Sequence, residues 1–296
     1  MTPPACDPPV RRRSCLSVPG SAPDKLAKAA ARGADEVVID LEDAVAPAAK
    51  EAARAAVVAA LGGLDWGGAS LAVRVNGRET PWCEEDLAAL APAPGPLRSI
   101  VLPKVEAAED VAFAAQLLDA GGGASALPRL QALIETAAGV ARAQEIAAAS
   151  PRLEALIVGY ADLAASLGRT AAGAADVALW DPIRELVLLA ARAHGLQAID
   201  GPYLGLQPDT AFAAAAQRAC DQGYDGKWAI HPAQVAPLNE LFTPGEAEVA
   251  HARAVIDALA AAEREGGQGA VELDGQMLDE PVRLAALRVL ARVDGP

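Results

Sequence analysis

Eight short runs of aliphatic and β-branched residues punctuate the chain, each followed by a turn and an Ala/Leu-rich amphipathic stretch. They fall at Ser14–Val18, Glu36–Ile39, Leu71–Val75, Ser99–Leu102, Leu130–Ile134, Ala155–Val158, Leu196–Ile199 and Lys227–Ile230. Continuous apolar runs of this length read as strands buried on both faces, and their alternation with helices makes a parallel sheet. Eight such units within about 230 residues fit one (β/α)8 TIM barrel. The expected organisation is a flexible tail over 1–10, the barrel over 11–262, and a linker with a C-terminal helical extension over 263–296. Local punctuation agrees. Pro23-Asp24 opens a helix that stops at Gly33, and Pro47 opens another closed by Gly62-Gly63. Thr243-Pro244-Gly245-Glu246 carries capping signals with Pro at the first helical position. Gly266-Gly267-Gln268-Gly269 reads as a linker, and Leu273–Val293 as one last helix.

Composition narrows the function classes. With 52% hydrophobic but only 3% aromatic residues, the core must be built from Ala, Val, Leu and Ile. A formal charge of −14 argues against nucleic-acid binding, which draws its affinity from Lys and Arg. A local cationic cluster could still serve an anionic small ligand, and Arg11-Arg12-Arg13 is either that or a solvated tail. Cys6, Cys15, Cys83 and Cys220 form no C-x-x-C pair, which suits a reducing compartment. The N-terminus has no apolar signal region and no apolar stretch reaches about 18 residues. A cytoplasmic protein without a membrane span is expected.

The strand ends carry the chemistry. In order they offer Pro19-Gly20, Asp40 with Glu42 and Asp43, Arg74 with Asn76, Lys104, Glu135, Asp162, Asp200 and His231. Arg74, Lys104, Glu135 and Asp162 follow one another at spacings of 30, 31 and 27 residues. One βα unit separates each, so they should converge on the rim where barrel enzymes keep their active sites. Glu135 and Asp162 suit Mg²⁺, which takes few protein oxygens and leaves room for water and substrate; capping or salt-bridging is the alternative. Arg74 can bind a carboxylate with paired N–H groups, or can pair across the rim with Asp40 or Asp43. The acidic run could hold metal-bound waters or orient Arg74 and Lys104, while Asp43 could instead cap a helix. His231 is either an acid–base group or a packing residue. The Pro19-Gly20-Ser21 turn offers backbone N–H groups for a phosphate or carboxylate. No G-x-S-x-G elbow, P-loop or dinucleotide fingerprint occurs.

Seven local sequences, taken in order, resemble the citrate lyase β-subunit / malyl-CoA lyase family. They are Arg13–Gly20, Asp40–Val45, Val73–Asn76, Leu102–Val105, Leu133–Ala137, Gly159–Leu163 and Ile230–Pro232. The resemblance covers nearly the whole chain. It implies a Mg²⁺- or Mn²⁺-dependent barrel that acts on malyl-, citramalyl- or citryl-CoA, with acetyl-CoA and an α-keto acid as the other side of the reaction. By position it makes Glu135 and Asp162 the metal ligands and Arg74 the holder of substrate oxygens; beside them on the rim, Glu42 and Lys104 are candidate substrate contacts and Asp43 a candidate catalytic group. Arg13, Pro19 and Gly20 fall in the CoA-contacting segment, and Lys227 is a candidate for the CoA phosphates. Asp279 resembles an aspartate presented from a neighbouring subunit, implying a trimer or hexamer. Ser17 and Tyr160 depart from the family pattern, and Tyr160 is expected to narrow or re-aim the acyl pocket. A malyl-CoA thioesterase, or a β-type subunit working only on a carrier-bound thioester, would use the same constellation.

Overall fold

The aliphatic runs become eight parallel strands: β1 (Ser14–Pro19), β2 (Glu36–Asp40), β3 (Ser70–Arg74), β4 (Leu97–Leu102), β5 (Arg129–Ile134), β6 (Leu153–Val158), β7 (Gln197–Asp200) and β8 (Gly226–Ala229). They pair in sequence order, and β8 returns to β1 to close the barrel. The computed structural model describes residues 10–92, 95–121, 127–170, 177–266, 271–273 and 275–294. Most of the expected tail and the linker residues 267–269 lie outside the described residues. None of the described helices is long and apolar enough to cross a membrane.

Side chains alternate across a strand, so one parity of each strand fills the barrel and the other meets the helices. Cys15, Val38, Ala72, Val101, Leu133, Ile157, Ile199 and Trp228 form one buried cluster with a member from every strand. That cluster fixes the inward parity. Two to three residues below it, the base is polar. Arg12 is 2% exposed, and its guanidinium donates to Glu36 Oε1 at 2.8 Å, to Ser99 Oγ at 3.2 Å, and to Glu154 and Gln197. Gln131 also donates to Glu36 at 3.0 Å, and Arg98 pairs with Glu154 at 3.0 Å. Breaking a buried pair of this kind costs on the order of 3–5 kcal/mol, because the remaining charge has no water.

Helix ends follow the local signals. The helix Pro23–Ala29 runs into a 3₁₀ turn and closes at Gly33, whose φ of 72° is left-handed. Pro47 starts a 3₁₀ turn that leads into the helix Lys50–Gly63. The helix after Thr243-Pro244 begins at Glu246, so Pro244 precedes it rather than occupying its first turn.

Residues Arg12–Asn239 form one compact unit, the barrel, and the described residues from Glu240 onward, with Val10 and Arg11, form another. The second unit holds the helix Glu246–Gly266, an antiparallel pair Val271–Leu273 and Gln276–Leu278, and the helix Glu280–Asp294. Its core is Ala252, Val255, Leu259, Leu278 and Ala286. A single helix from Leu273 onward is therefore corrected: the chain makes a hairpin first, reversing at Gly275 with φ 79°.

Candidate active site

Parity decides which strand ends reach the mouth of the barrel. Asp40, Arg74 and Glu135 share the inward parity of Val38, Ala72 and Leu133, so their side chains project into the mouth. The Arg74 guanidinium lies 5.7 Å from the ring of inward-facing Trp228. Asp200 and Lys227 have the opposite parity and face the helices.

Glu135 is one of three buried carboxyls of the mouth, with Asp40 and Glu42, and is 2% exposed. Its Oε1 accepts the backbone N–H of Lys104 at 2.8 Å. Lys104 is the one non-glycine among the described residues with positive φ, 50°, and that backbone turns its N–H toward Glu135. Its side chain meanwhile bonds Glu42 and lies 3.7 Å from Asp43 and 4.0 Å from Asp162. Burial, with Glu42 and Asp162 nearby, pushes the Glu135 carboxyl up to about 8. Gly159 makes room for it: a Cβ there would lie 2.5 Å from both Glu135 Cβ and Oε2. Asp162 is the third residue of the helix Tyr160–Ser166, with a side chain 37% exposed.

Arg74 holds Asp40 with two parallel bonds, Nε to Oδ1 at 2.8 Å and Nη2 to Oδ2 at 2.6 Å, and Nη1 lies 3.0 Å from Glu42 Oε2. The cross-rim pair is thus formed, and a guanidinium with five N–H groups keeps two more for a ligand. Asp40 also caps the acidic loop, accepting from Glu42 N at 2.8 Å and Ala44 N at 3.2 Å. Capping therefore falls to Asp40, and Asp43 stands 60% exposed. Glu42 is 5% exposed between Arg74 and Lys104, and its burial raises its carboxyl above the usual range. Buried Lys50, which sequence reasoning passed over, pins this loop by donating to Leu41 O at 2.8 Å and Glu42 O at 2.7 Å.

Among the described residues no group of three or more His, Cys, Asp or Glu is arranged to hold a metal ion. Glu135 and Asp162 are two carboxylates that could hold Mg²⁺, an ion that needs few protein oxygens. The donor chemistry fits. Asp40, Glu42, Asp43, Glu135 and Asp162 crowd a mouth where Arg74 and Lys104 are the counter-cations, and a dication would relieve the surplus that raises Glu135.

Two clefts flank the mouth. One, of about 720 Å³, is walled by Glu42, Asp43, Lys104, Trp82, Val105 and Phe113. The other, of about 290 Å³, lies by β1 and β8 and is lined by Pro19, Lys25, Lys28, Arg32 and His231. His231 Nδ1 accepts the N–H of Ala233 at 3.2 Å, capping a 3₁₀ turn and leaving Nε2 to carry the proton.

Three groups expected to contact CoA are engaged within the protein. Arg13 precedes β1, at the opposite end of the barrel, and is bound to Asp35 through Nε and Nη2, both at 2.8 Å. Gly20 donates its N–H to Asp40 O at 2.8 Å and packs against Val57 and Leu41, so that N–H holds no phosphate. Lys227, 2% exposed, donates to Asp200 Oδ2 at 2.5 Å and Gly201 O at 2.6 Å. Tyr160 does not turn into an acyl pocket: its hydroxyl bonds Asp200 and its ring lies 5.0 Å from that of Trp180. Asp279 belongs to the C-terminal unit, where it starts the last helix and accepts from Val282 N at 3.4 Å.

The comparisons with known proteins agree with this geometry. The model of the HpcH/HpaI aldolase/citrate lyase family matches residues 13–232. The chain is 40% identical over 292 residues to an L-malyl-CoA/beta-methylmalyl-CoA lyase of Cereibacter sphaeroides, covering 92% of each chain. It is 39% identical over 282 residues to a (3S)-malyl-CoA thioesterase of the same species, covering 95% of this chain and 94% of that one. Protein CitE of Mycobacterium tuberculosis, solved with magnesium, acetoacetate and coenzyme A, superposes with a TM-score of 0.76 at 36% identity, over 95% of this chain and 98% of the other.

Proposed function

The chain belongs to the HpcH/HpaI aldolase/citrate lyase family, and from that premise we propose a Mg²⁺-dependent carbon–carbon lyase acting on a short 3-hydroxyacyl-CoA thioester. Malyl-, citramalyl- and citryl-CoA are the substrates of the right size, and acetyl-CoA with an α-keto acid the products. The observation that carries this reading is the buried Glu135, fixed by the Lys104 N–H beside Asp162 and facing the guanidinium of Arg74.

Glu135 and Asp162 would hold the ion. When bound, Mg²⁺ supplies Lewis-acid polarisation of the substrate's carboxylate and hydroxyl oxygens. Arg74, held rigid by Asp40, directs its remaining N–H groups at oxygens that gain charge as the carbon–carbon bond breaks, the kind of preorganised field that dominates such barriers. Asp43, exposed at the rim, takes the hydroxyl proton. Cleavage then leaves the α-keto acid and the enolate of acetyl-CoA, and Asp279 of a neighbouring subunit returns a proton to the enolate carbon. That role makes the enzyme a homotrimer or hexamer. It is supported by the exposed apolar side chains of the same unit, Met277 at 74%, Leu284 at 48% and Leu287 at 46%.

For the CoA phosphates, Lys25, Lys28 and Arg32 replace the expected Arg13 and Lys227. All three are exposed along one cleft that begins at Pro19. A local cationic strip of this kind binds an anion on a protein of net charge −14. Buried thiols at Cys15 and Cys83 suit a cytoplasmic enzyme.

The test is incubation of the purified chain with Mg²⁺ and each of the three CoA esters, with products resolved by mass spectrometry. Acetyl-CoA and the matching α-keto acid are expected. The 39% identity to a thioesterase favours one second reading, which free CoA with intact hydroxy acid would establish instead. Turnover only of a carrier-bound thioester would make the chain a subunit of a larger lyase.

A further inference from the structure

Behind the mouth lies a buried polar cluster that the reaction does not use. Asp200, 1% exposed, and Lys227, 2% exposed, face the helices rather than the barrel interior, and Arg184, 1% exposed, meets them from the helix Asp181–Ala193. Lys227 Nζ donates to Asp200 Oδ2 at 2.5 Å, and Arg184 Nε lies 3.4 Å from Asp200 Oδ1. The Tyr160 hydroxyl donates to that same Oδ1.

Tyr160 is the first residue of the helix whose third residue is Asp162. Its ring is gripped from two sides. Trp180 lies 5.0 Å away between centroids, and Gly201 approaches so closely that a Cβ there would stand 2.8 Å from Tyr160 Cδ2. The residue before it, Gly159, donates its N–H to Ile134 O at 3.0 Å, tying the same helix start to the strand that carries Glu135. Asp162, by contrast, is held weakly: its one ion-pair contact among the described residues is Lys104 Nζ at 4.0 Å. The placement of its carboxylate is set by the helix, which Tyr160 anchors at its first residue while buried Leu163 and the Ser166 hydroxyl hold the turns that follow.

We propose that Tyr160 is a positioning residue for the metal site, its hydroxyl bond to buried Asp200 fixing the helix start that sets Asp162 opposite Glu135. The inference rests on the reading of Glu135 and Asp162 as the Mg²⁺ ligands. Outer hydrogen bonds that orient ligands are worth about 10- to 100-fold in metal affinity when removed. Tyr224 supplies the comparison, since its hydroxyl donates at 2.8 Å to Arg184 O in the same cluster but from a loop that carries no ligand.

The experiment measures Mn²⁺ binding by electron paramagnetic resonance and Mg²⁺ binding by calorimetry on Tyr160→Phe, Tyr224→Phe and Asp162→Asn. Phe keeps the ring packed and removes one buried hydroxyl in each case, so both Phe variants should melt slightly lower than the parent. Tyr160→Phe should raise the dissociation constant of both ions about tenfold, with kcat restored at saturating Mg²⁺, while Tyr224→Phe binds as the parent does. Equal affinities in Tyr160→Phe and the parent, or equal weakening in the two Phe variants, overturns the proposal while loss of binding in Asp162→Asn keeps the metal assignment. Parental affinity in Asp162→Asn overturns the metal assignment and this proposal with it.

Discussion

Adding one methyl group at Gly159 should disable the site without replacing any of its functional side chains. The backbone there, at φ −109° and ψ 95°, is open to any residue, so space alone decides the outcome. The new Cβ would stand 2.5 Å from Glu135 Cβ and Oε2, where an ordinary contact needs about 3.5–4.0 Å. Strand β5 fixes the Glu135 backbone and the Lys104 N–H fixes Oε1, so the carboxylate must shift by roughly 1 Å. A displacement of about that size typically costs on the order of 10²-fold in rate, or about 2.7 kcal/mol. Gly159→Ala should therefore lower kcat/KM for CoA-ester cleavage by that factor and weaken Mg²⁺ binding, with the far-ultraviolet circular dichroism unchanged. Gly63→Ala is the control, since a Cβ there meets nothing within 4 Å. Parental Mg²⁺ affinity and turnover in Gly159→Ala would refute the argument that Glu135 occupies its one productive position.

Further expectations concern charge. In the metal-free chain Glu135 titrates near 8 instead of its ordinary 4.5, because burial and neighbouring carboxylates favour the neutral form. The folded state thus holds this proton more tightly than the unfolded one; the stabilisation is complete below 4.5 and is lost as pH rises through 8, by at most about 5 kcal/mol. Urea midpoints at pH 5 and 8.5 without divalent cations measure it, and Mg²⁺ or Glu135→Gln should flatten the profile. Arg74→Lys loses the paired grip on Asp40 and should cut kcat/KM by about 10²-fold, read by steady-state kinetics. Lys227→Ala leaves Asp200 paired with Arg184 but removes two buried hydrogen bonds, to Asp200 and to Gly201 O, and should destabilise the fold by about 1–3 kcal/mol in chemical denaturation. Removing Lys25, Lys28 and Arg32 together should raise the KM for the CoA ester and reduce its salt dependence, with stability unchanged.

Much of this was legible in the residues. Each strand falls on a predicted run to within two residues, because parallel strands buried on both faces leave short continuous apolar runs that turn punctuation and β-branched residues separate from buried helices. The spacing of Arg74, Lys104 and Glu135 likewise foretold their convergence. Arg13, Lys227 and Asp200 were misplaced for two different reasons. Arg13 sits at the start of a run rather than its end, and a run's direction toward the rim is readable only once the barrel is assumed. Lys227 and Asp200 lie at the correct level but on the outward face, and counting by twos from Trp228 and Ile199 would have shown it. The C-terminal hairpin had its own signal, the Asp274-Gly275 pair between two short apolar stretches, which favours a two-residue reversal over a continuing helix. The roles of Lys50 and Tyr160 left no trace in local sequence, since each depends on partners brought close only by closure of the barrel.

The ionic layer around Arg12 has a meaning for how such an enzyme changes over generations. It seals the floor of the barrel a full strand length from the loops that meet substrate, and distant, unconnected sites contribute nearly independently to stability. A lineage drifting toward a new acyl group can rewrite the mouth loops while its tolerance to heat, lodged in the floor, is inherited intact. One moving to a hotter habitat can revise the floor and keep its chemistry.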